Sequence, residues 1–212
     1  MTRIAVFVSG GGTNLQALID ARRRGELSGG ELSLVIASSA KAYALTRAAE
    51  NGIPSAVVNR KECRAVGEGE FDRRLCALLE EYRIDLVVLA GYLSILSENV
   101  TRRYSGRILN IHPALIPSFC GPGFYGLHVH EAALARGVKV TGATVHFVNE
   151  VCDGGPILLQ KAVLVEDGDT PETLQRRVME QAEWELLPKA VGLYCAGRIT
   201  LTDGTARVLP EE

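Results

Sequence analysis

Along the first half of the chain, apolar positions alternate between two rhythms. The run "RIAVFVS" (3–9) is rich in strand-forming residues, and Leu15, Leu18 and Ile19 then recur at helical spacing up to Gly25. "LSLVIAS" (32–38) predicts a second buried strand, followed by a helix over "AYALTRAAENG" that stops at Gly52. "SAVVN" (55–59) predicts a third strand, and Phe71, Leu75, Leu78, Leu79 and Tyr82 form one face of a helix. "IDLVVLAG" (84–91) is a fourth continuous run. Unbroken apolar strands separated by amphipathic helices imply a parallel sheet covered on both faces.

The second half changes character. "RILNIHPAL" (107–115) predicts a strand ending near a proline, then a loop rich in glycine, proline and aromatics, "PSFCGPGFYG" (117–126), and a short helix around "HEAALARG". "GATVHFVN" (142–149) and "PILLQKAVLV" (156–165) predict two further strands, read as an antiparallel element. Thr170 is placed to cap a long helix with Pro171 in its first turn, and Pro188 is expected to kink or interrupt it. "ITLTDGTARVL" (199–209) predicts a hairpin turning at Asp203-Gly204. The expected fold class is α/β, a three-layer, doubly wound and mostly parallel sheet, formed by 1–212 as a single domain.

Bulk properties narrow the setting. At 212 residues, with 47% hydrophobic and 23% charged positions, the chain is an ordinary globular sequence long enough for its own core. A net charge of −2 gives no sign of a nucleic-acid or membrane surface. The five cysteines, Cys63, Cys76, Cys120, Cys152 and Cys195, are odd in number and widely spaced, which argues against a disulfide frame or a thiolate metal site. The chain enters a strand within its first residues, so a cytoplasmic location without a signal peptide is expected.

Three segments carry candidate chemistry. "SGGGTNLQ" (9–16) lies between the first strand and the first helix, where glycines let backbone N–H groups approach a phosphate. The alternative is a tight turn capped by Thr13 or Asn14. A dinucleotide fingerprint fails, because Leu15 stands where its third glycine belongs and Ser38-Ser39 where an acidic ribose anchor belongs. A triphosphate loop fails for want of its lysine. A single phosphate on a smaller ligand fits better.

In "NIHP", Asn110 and His112 project from the same face of an extended segment. An amide donor beside an imidazole suits a tetrahedral oxyanion and hence carbonyl-group transfer, although a structural Asn–His pair is the alternative. In "NEVCDGGPIL" (149–158), Asp153 can approach His112, raise its pKa and orient it, or merely begin a turn. Cys152 lacks an evident base, His128 and His130 lack recognisable metal spacing, and His146 reads as a hydrogen-bonded structural histidine. Trp184 and its neighbours read as helix packing.

Taken in order, "SGGGTNLQ", "LAGYLSIL", "LNIHPALIPSF", "GATVHFV" and "CDGGPILLQ" closely resemble the phosphoribosylglycinamide formyltransferase family, over about residues 3–200. The resemblance implies a Rossmann-like formyltransferase fold and transfer of a formyl group from 10-formyltetrahydrofolate, as co-substrate, to glycinamide ribonucleotide in purine biosynthesis. It maps the ribonucleotide phosphate to Gly12, Thr13 and Asn14, and the glycinamide to Glu183. It maps the catalytic trio to Asn110, His112 and Asp153. The folate cleft maps to Leu89, Tyr92, Leu93, Ser94 and Ile95 with Asn110, and to Asn149, Glu150, Val151, Cys152 and Asp153. No metal, nucleic acid or membrane is implied, and a monomer or homodimer is expected.

Three departures from the family pattern stand out. Leu93-Ser94 replaces a common Met-Arg, which removes a charged contact at the folate mouth. The loop "CGPGFYGLH" (120–128) is longer than in some members, and one extra residue precedes Glu183 in the last helix. Related readings are formyltetrahydrofolate hydrolase and methionyl-tRNA formyltransferase, each expected to carry a further domain. A non-catalytic sugar-phosphate binder would leave the trio without a shared purpose.

Overall fold

A computed structural model describes residues 1–210. Seven strands form one sheet in the order β3-β2-β1-β4-β5-β6-β7. The strands are β1 (Thr2–Val8), β2 (Gly30–Ala37), β3 (Ser55–Val57), β4 (Leu86–Leu89), β5 (Ile108–His112), β6 (Val140–Phe147) and β7 (Ile157–Leu164). The first five pair in parallel, whereas β6 and β7 run antiparallel. The helices are α1 (Thr13–Arg23), α2 (Ala44–Glu50), α3 (Arg60–Val66), α4 (Glu70–Glu81), α5 (Glu98–Arg103), α6 (Leu127–Arg136), α7 (Pro171–Val178) and α8 (Trp184–Cys195).

The apolar runs explain the three layers. Along β1, Ile4, Val6 and Val8 pack with α1, α2, α7 and α8, while Ala5 and Phe7 face α4 and α5. Leu75 and Leu79 of α4 are fully buried on that second face, each contributing about 1.5–3 kcal/mol. Thr170 caps α7 through a capping box with Thr173, as its place before Pro171 suggests. Strands β8 (Ile199–Thr202) and β9 (Thr205–Val208) form the expected hairpin. Its Asp203-Gly204 turn has φ of 51° and 73°, the left-handed pair that matches strand twist.

Several boundaries and two helices differ from expectation. α3 and α5 are each a short element opened by an Asn59 or Ser97 side chain accepting backbone N–H bonds, with too few residues to show a face. Pro188 does not interrupt the helix, because α8 runs through that residue. The irregularity stands one turn earlier, as a π-helical turn over Met179–Glu183. A π turn accommodates one more residue per turn than the flanking α-helix, and this one carries Glu183.

Candidate active site

The strand order reverses at β1, which has β2 on one side and β4 on the other. Beyond the carboxyl ends of β1, β4 and β5 opens a cavity of about 650 Å³, at the switch point where open α/β sheets bind ligands. It runs from Gly10–Asn14 past the 89–96 segment to the loop Asn149–Asp153, and every site residue mapped by resemblance lines it.

At one end stands the glycine loop. Gly12 has φ 72°, and a Cβ there would lie 2.6 Å from the Ala44 Cβ, so only glycine meets both demands. Gly12 is also the N-cap of α1, and no side chain caps the helix; Thr13 and Asn14, the caps of the alternative reading, are its first helical residues. The first N–H groups of α1 therefore lack intrahelical partners and, with the helix dipole, favour an anion. A Cβ on Gly10 or Gly11 would meet nothing within 4 Å. Internal packing does not demand glycine at those two positions; it leaves space for a ligand to reach the backbone.

Behind this loop the Asn14 amide donates to Glu183 Oε2 at 2.6 Å, and both residues are buried. The Asn14 Oδ1 has no partner among the described residues. Burial pushes the Glu183 carboxyl up to about 7, against the lowering effect of the Asn14 hydrogen bond. Between about 4.5 and 7 the folded chain thus holds a proton that the unfolded chain has released. Stability contributed there is lost as pH rises through that window. Glu183→Gln removes the titration, so the melting temperature of the variant relative to wild type is expected to rise by roughly 5–10 °C between pH 5 and pH 8. A difference that stays constant with pH contradicts the assignment.

At the far end, the antiparallel register sets His146 of β6 opposite Asn110 of β5. The His146 Nδ1–H donates to the Phe147 carbonyl at 2.9 Å, leaving Nε2 to accept from the Asn110 amide at 3.0 Å. The second amide hydrogen reaches Asp153 Oδ1 only at 3.5 Å, a contact weak enough to be given up to a ligand. His112 Nε2–H donates to the Phe119 carbonyl at 2.8 Å, which turns Nδ1 toward Asp153 Oδ2, 3.6 Å away. Asp153 also accepts the Gly121 N–H at 2.8 Å and lies 3.6 Å from His146 Nε2. A Cβ on Gly155 would sit 1.9 Å from the Phe147 carbonyl, so the glycine lets this loop return against β6.

The electrostatics qualify one expectation. Burial raises Asp153, but the Gly121 N–H and the His112 charge help to hold its carboxyl below the ordinary value. Burial pulls His112 down, and the Asp153 charge and Phe119 carbonyl recover only part of the loss. Asp153 does raise His112, as its approach implies, but burial outweighs it, so the net direction is downward and favours the neutral imidazole. Cys152 lies 3.9 Å from Asp153 Oδ2, and burial with that carboxylate pushes its thiol up, the reverse of an activated nucleophile. His128 pairs with Glu131 on the surface, while His130 is fully buried and held down to about 4 by burial. Among the described residues no three His, Cys, Asp or Glu side chains are grouped to hold a metal ion.

The cavity mouth is apolar. Leu93, Ile95 and Val151 are exposed there, and Tyr92 stands edge-on to Phe7 at 5.2 Å. The Leu93 N–H donates to Ser9 Oγ at 2.9 Å, tying this rim to the end of β1. Glu150 faces Arg102 at 3.5 Å. Exposed apolar groups concentrated at a cavity mark a binding surface.

The chain matches the formyl transferase family over residues 2–191. A phosphoribosylglycinamide formyltransferase of Haemophilus influenzae is 40% identical over 206 residues, 97% of this chain and 93% of that protein. The chain belongs to the phosphoribosylglycinamide formyltransferase family. A solved glycinamide ribonucleotide transformylase 1 from Symbiobacterium toebii superposes with a TM-score of 0.91 at 40% identity, covering 99% of this chain and 95% of that one. The human trifunctional purine biosynthetic protein adenosine-3 is 45% identical over 199 residues, 94% of this chain, although the chain spans only 19% of that protein.

This formyltransferase site contains partners that sequence reasoning did not assign. The sequence pattern makes His146 a hydrogen-bonded structural histidine; it is hydrogen-bonded, but its partner is Asn110 inside the cavity. The clue lay in the alternation of "TVHFV", and it needed the β5–β6 register to become legible. The Gly121 N–H, the Phe119 carbonyl and Ser9 carried no side-chain signal of their role.

Proposed function

We infer that this chain transfers the formyl group of 10-formyltetrahydrofolate to the amino group of glycinamide ribonucleotide, giving N-formylglycinamide ribonucleotide and tetrahydrofolate. The observation that carries the reading is a single cavity with an anion-receptive glycine loop at one end and Asn110, His112 and Asp153 at the other. The ribonucleotide phosphate takes the N–H groups of Gly12, Thr13 and Asn14, and Glu183 receives the glycinamide. The folate lies along Leu89, Tyr92, Leu93, Ser94 and Ile95 and against the loop 149–153.

The chemistry then follows from the resting hydrogen bonds. The amine attacks the formyl carbon, and the loosely held Asn110 N–H turns to the developing oxyanion. The neutral His112 takes the amine proton, and the adjacent Asp153 charge stabilises the imidazolium. Passing that proton to the departing folate nitrogen breaks the carbon–nitrogen bond and restores the imidazole. No covalent enzyme intermediate is needed. The chain acts as one cytoplasmic domain, its N-terminal half holding phosphate and its C-terminal half holding folate and the trio.

A hydrolase would use the same trio on water and would have no use for the phosphate end. Tetrahydrofolate release measured with and without glycinamide ribonucleotide separates the two. Release only with the ribonucleotide is expected, and equal release without it contradicts transfer.

A further inference from the structure

The cavity must receive a phosphate, yet among the described residues that line it there is no lysine or arginine. At the phosphate end, a link to a cation runs through the glycine loop itself. The Ala44 N–H of α2 donates to the Gly10 carbonyl at 3.2 Å, and Arg47 Nε donates to the Gly11 carbonyl at 2.9 Å. In a trans peptide the C=O and the following N–H point to opposite sides. Holding both carbonyls toward α2 therefore turns the Gly11 and Gly12 N–H groups the other way, onto the cavity side.

Arg47 is itself fixed for this task. Its Nη1 donates to Gln16 Oε1 at 2.9 Å, and its guanidinium stands 5.2 Å above the Tyr43 ring. A Cβ on Gly12 would come within 3.5 Å of Arg47 Cδ, so the stem lies directly against the loop. On the cavity side, Asn14 is only 6% exposed and its Oδ1 has no partner, which marks the inner wall as a place for a ligand.

We propose that Arg47 is the positioning residue and a cationic support of the phosphate subsite, acting through the Gly11 carbonyl from outside the cavity. The proposal rests on the ribonucleotide reading of the site and adds the element that aims its N–H groups. Polarising the Gly11–Gly12 peptide with a cation strengthens the Gly12 N–H as a donor to an anion. Arg47 touches no reacting atom, so its removal affects binding of the phosphate end rather than the formyl-transfer step.

The test compares wild type, Arg47→Met and Arg47→Lys by calorimetric binding of ribose 5-phosphate and of ribose, with turnover followed in parallel. Arg47→Met keeps the stem over Tyr43 and is expected to bind ribose 5-phosphate about tenfold more weakly. Weak ribose binding is expected to be the same in all three proteins. In turnover, KM for the ribonucleotide rises while kcat and the folate KM stay within about twofold. Arg47→Lys restores the charge without the fixed fork and recovers part of the affinity. Equal ribose 5-phosphate affinity in wild type and Arg47→Met overturns the proposal, as does an equal loss for ribose and its phosphate. Failure of wild type to turn over, with the binding difference intact, overturns the functional reading and leaves the role of Arg47 standing.

Discussion

Asp153→Asn is expected to lower kcat by about 10²–10⁴-fold, the range for loss of a positioned acid–base function, while the fold survives. The substitution is gentle on structure. Asp153 has φ 53°, a left-handed conformation that asparagine tolerates as well as aspartate, and the new amide oxygen still accepts the Gly121 N–H. What disappears is the negative charge opposite His112 Nδ1. Burial already disfavours the imidazolium, so without Asp153 the proton taken from the amine has no compensating charge. The sign of the pH effect follows. Removing an influence that raises His112 drops its pKa further, so the acidic limb of kcat/KM moves to lower pH. Profiles of kcat/KM for both proteins check this; near-normal turnover, or a limb moving to higher pH, removes Asp153 from the mechanism.

Gly12→Ala is expected to damage both fold and substrate binding, whereas Gly11→Ala damages binding alone. At Gly12 an alanine meets the left-handed backbone, costing about 1–2 kcal/mol. Its Cβ also meets Ala44 Cβ at 2.6 Å, which forces α2 away and loosens the carbonyls it holds. A fall in melting temperature of roughly 2–8 °C and a KM for the ribonucleotide raised at least about tenfold are expected. At Gly11 the new methyl meets nothing in the chain, so melting stays within about 2 °C of wild type while it intrudes on the space left for phosphate. Differential scanning calorimetry with steady-state kinetics resolves the pair. Normal ribonucleotide KM in both variants contradicts the placement of phosphate on this loop.

The parallel half of the fold was legible because its strands are buried on both faces and read as unbroken apolar runs. α4 was legible because Phe71, Leu75 and Leu79 keep one face. α3 and α5 were not, since a short helix shows its cap before it shows a periodicity. Pro188 misled because it marks only a lost donor, while the widened turn that seats Glu183 lies upstream. In the site, Asn110 and His112 announced themselves as polar residues two apart in an apolar strand. His146 and Arg47 did not, because each acquires its partner through tertiary pairing, of β6 with β5 and of α2 with the glycine loop. The attraction of Asp153 for His112 follows from composition; the burial that outweighs it is a property of the packed site.

The central claim is direct transfer between two ligands held in one cavity. It is tested most directly by mixing 10-formyltetrahydrofolate, isotopically labelled in its formyl carbon, with glycinamide ribonucleotide and following the label by NMR. The account predicts that label enters the amide of the ribonucleotide in step with tetrahydrofolate release, with none retained on the protein. Label accumulating as free formate, at a rate indifferent to the ribonucleotide, would contradict it.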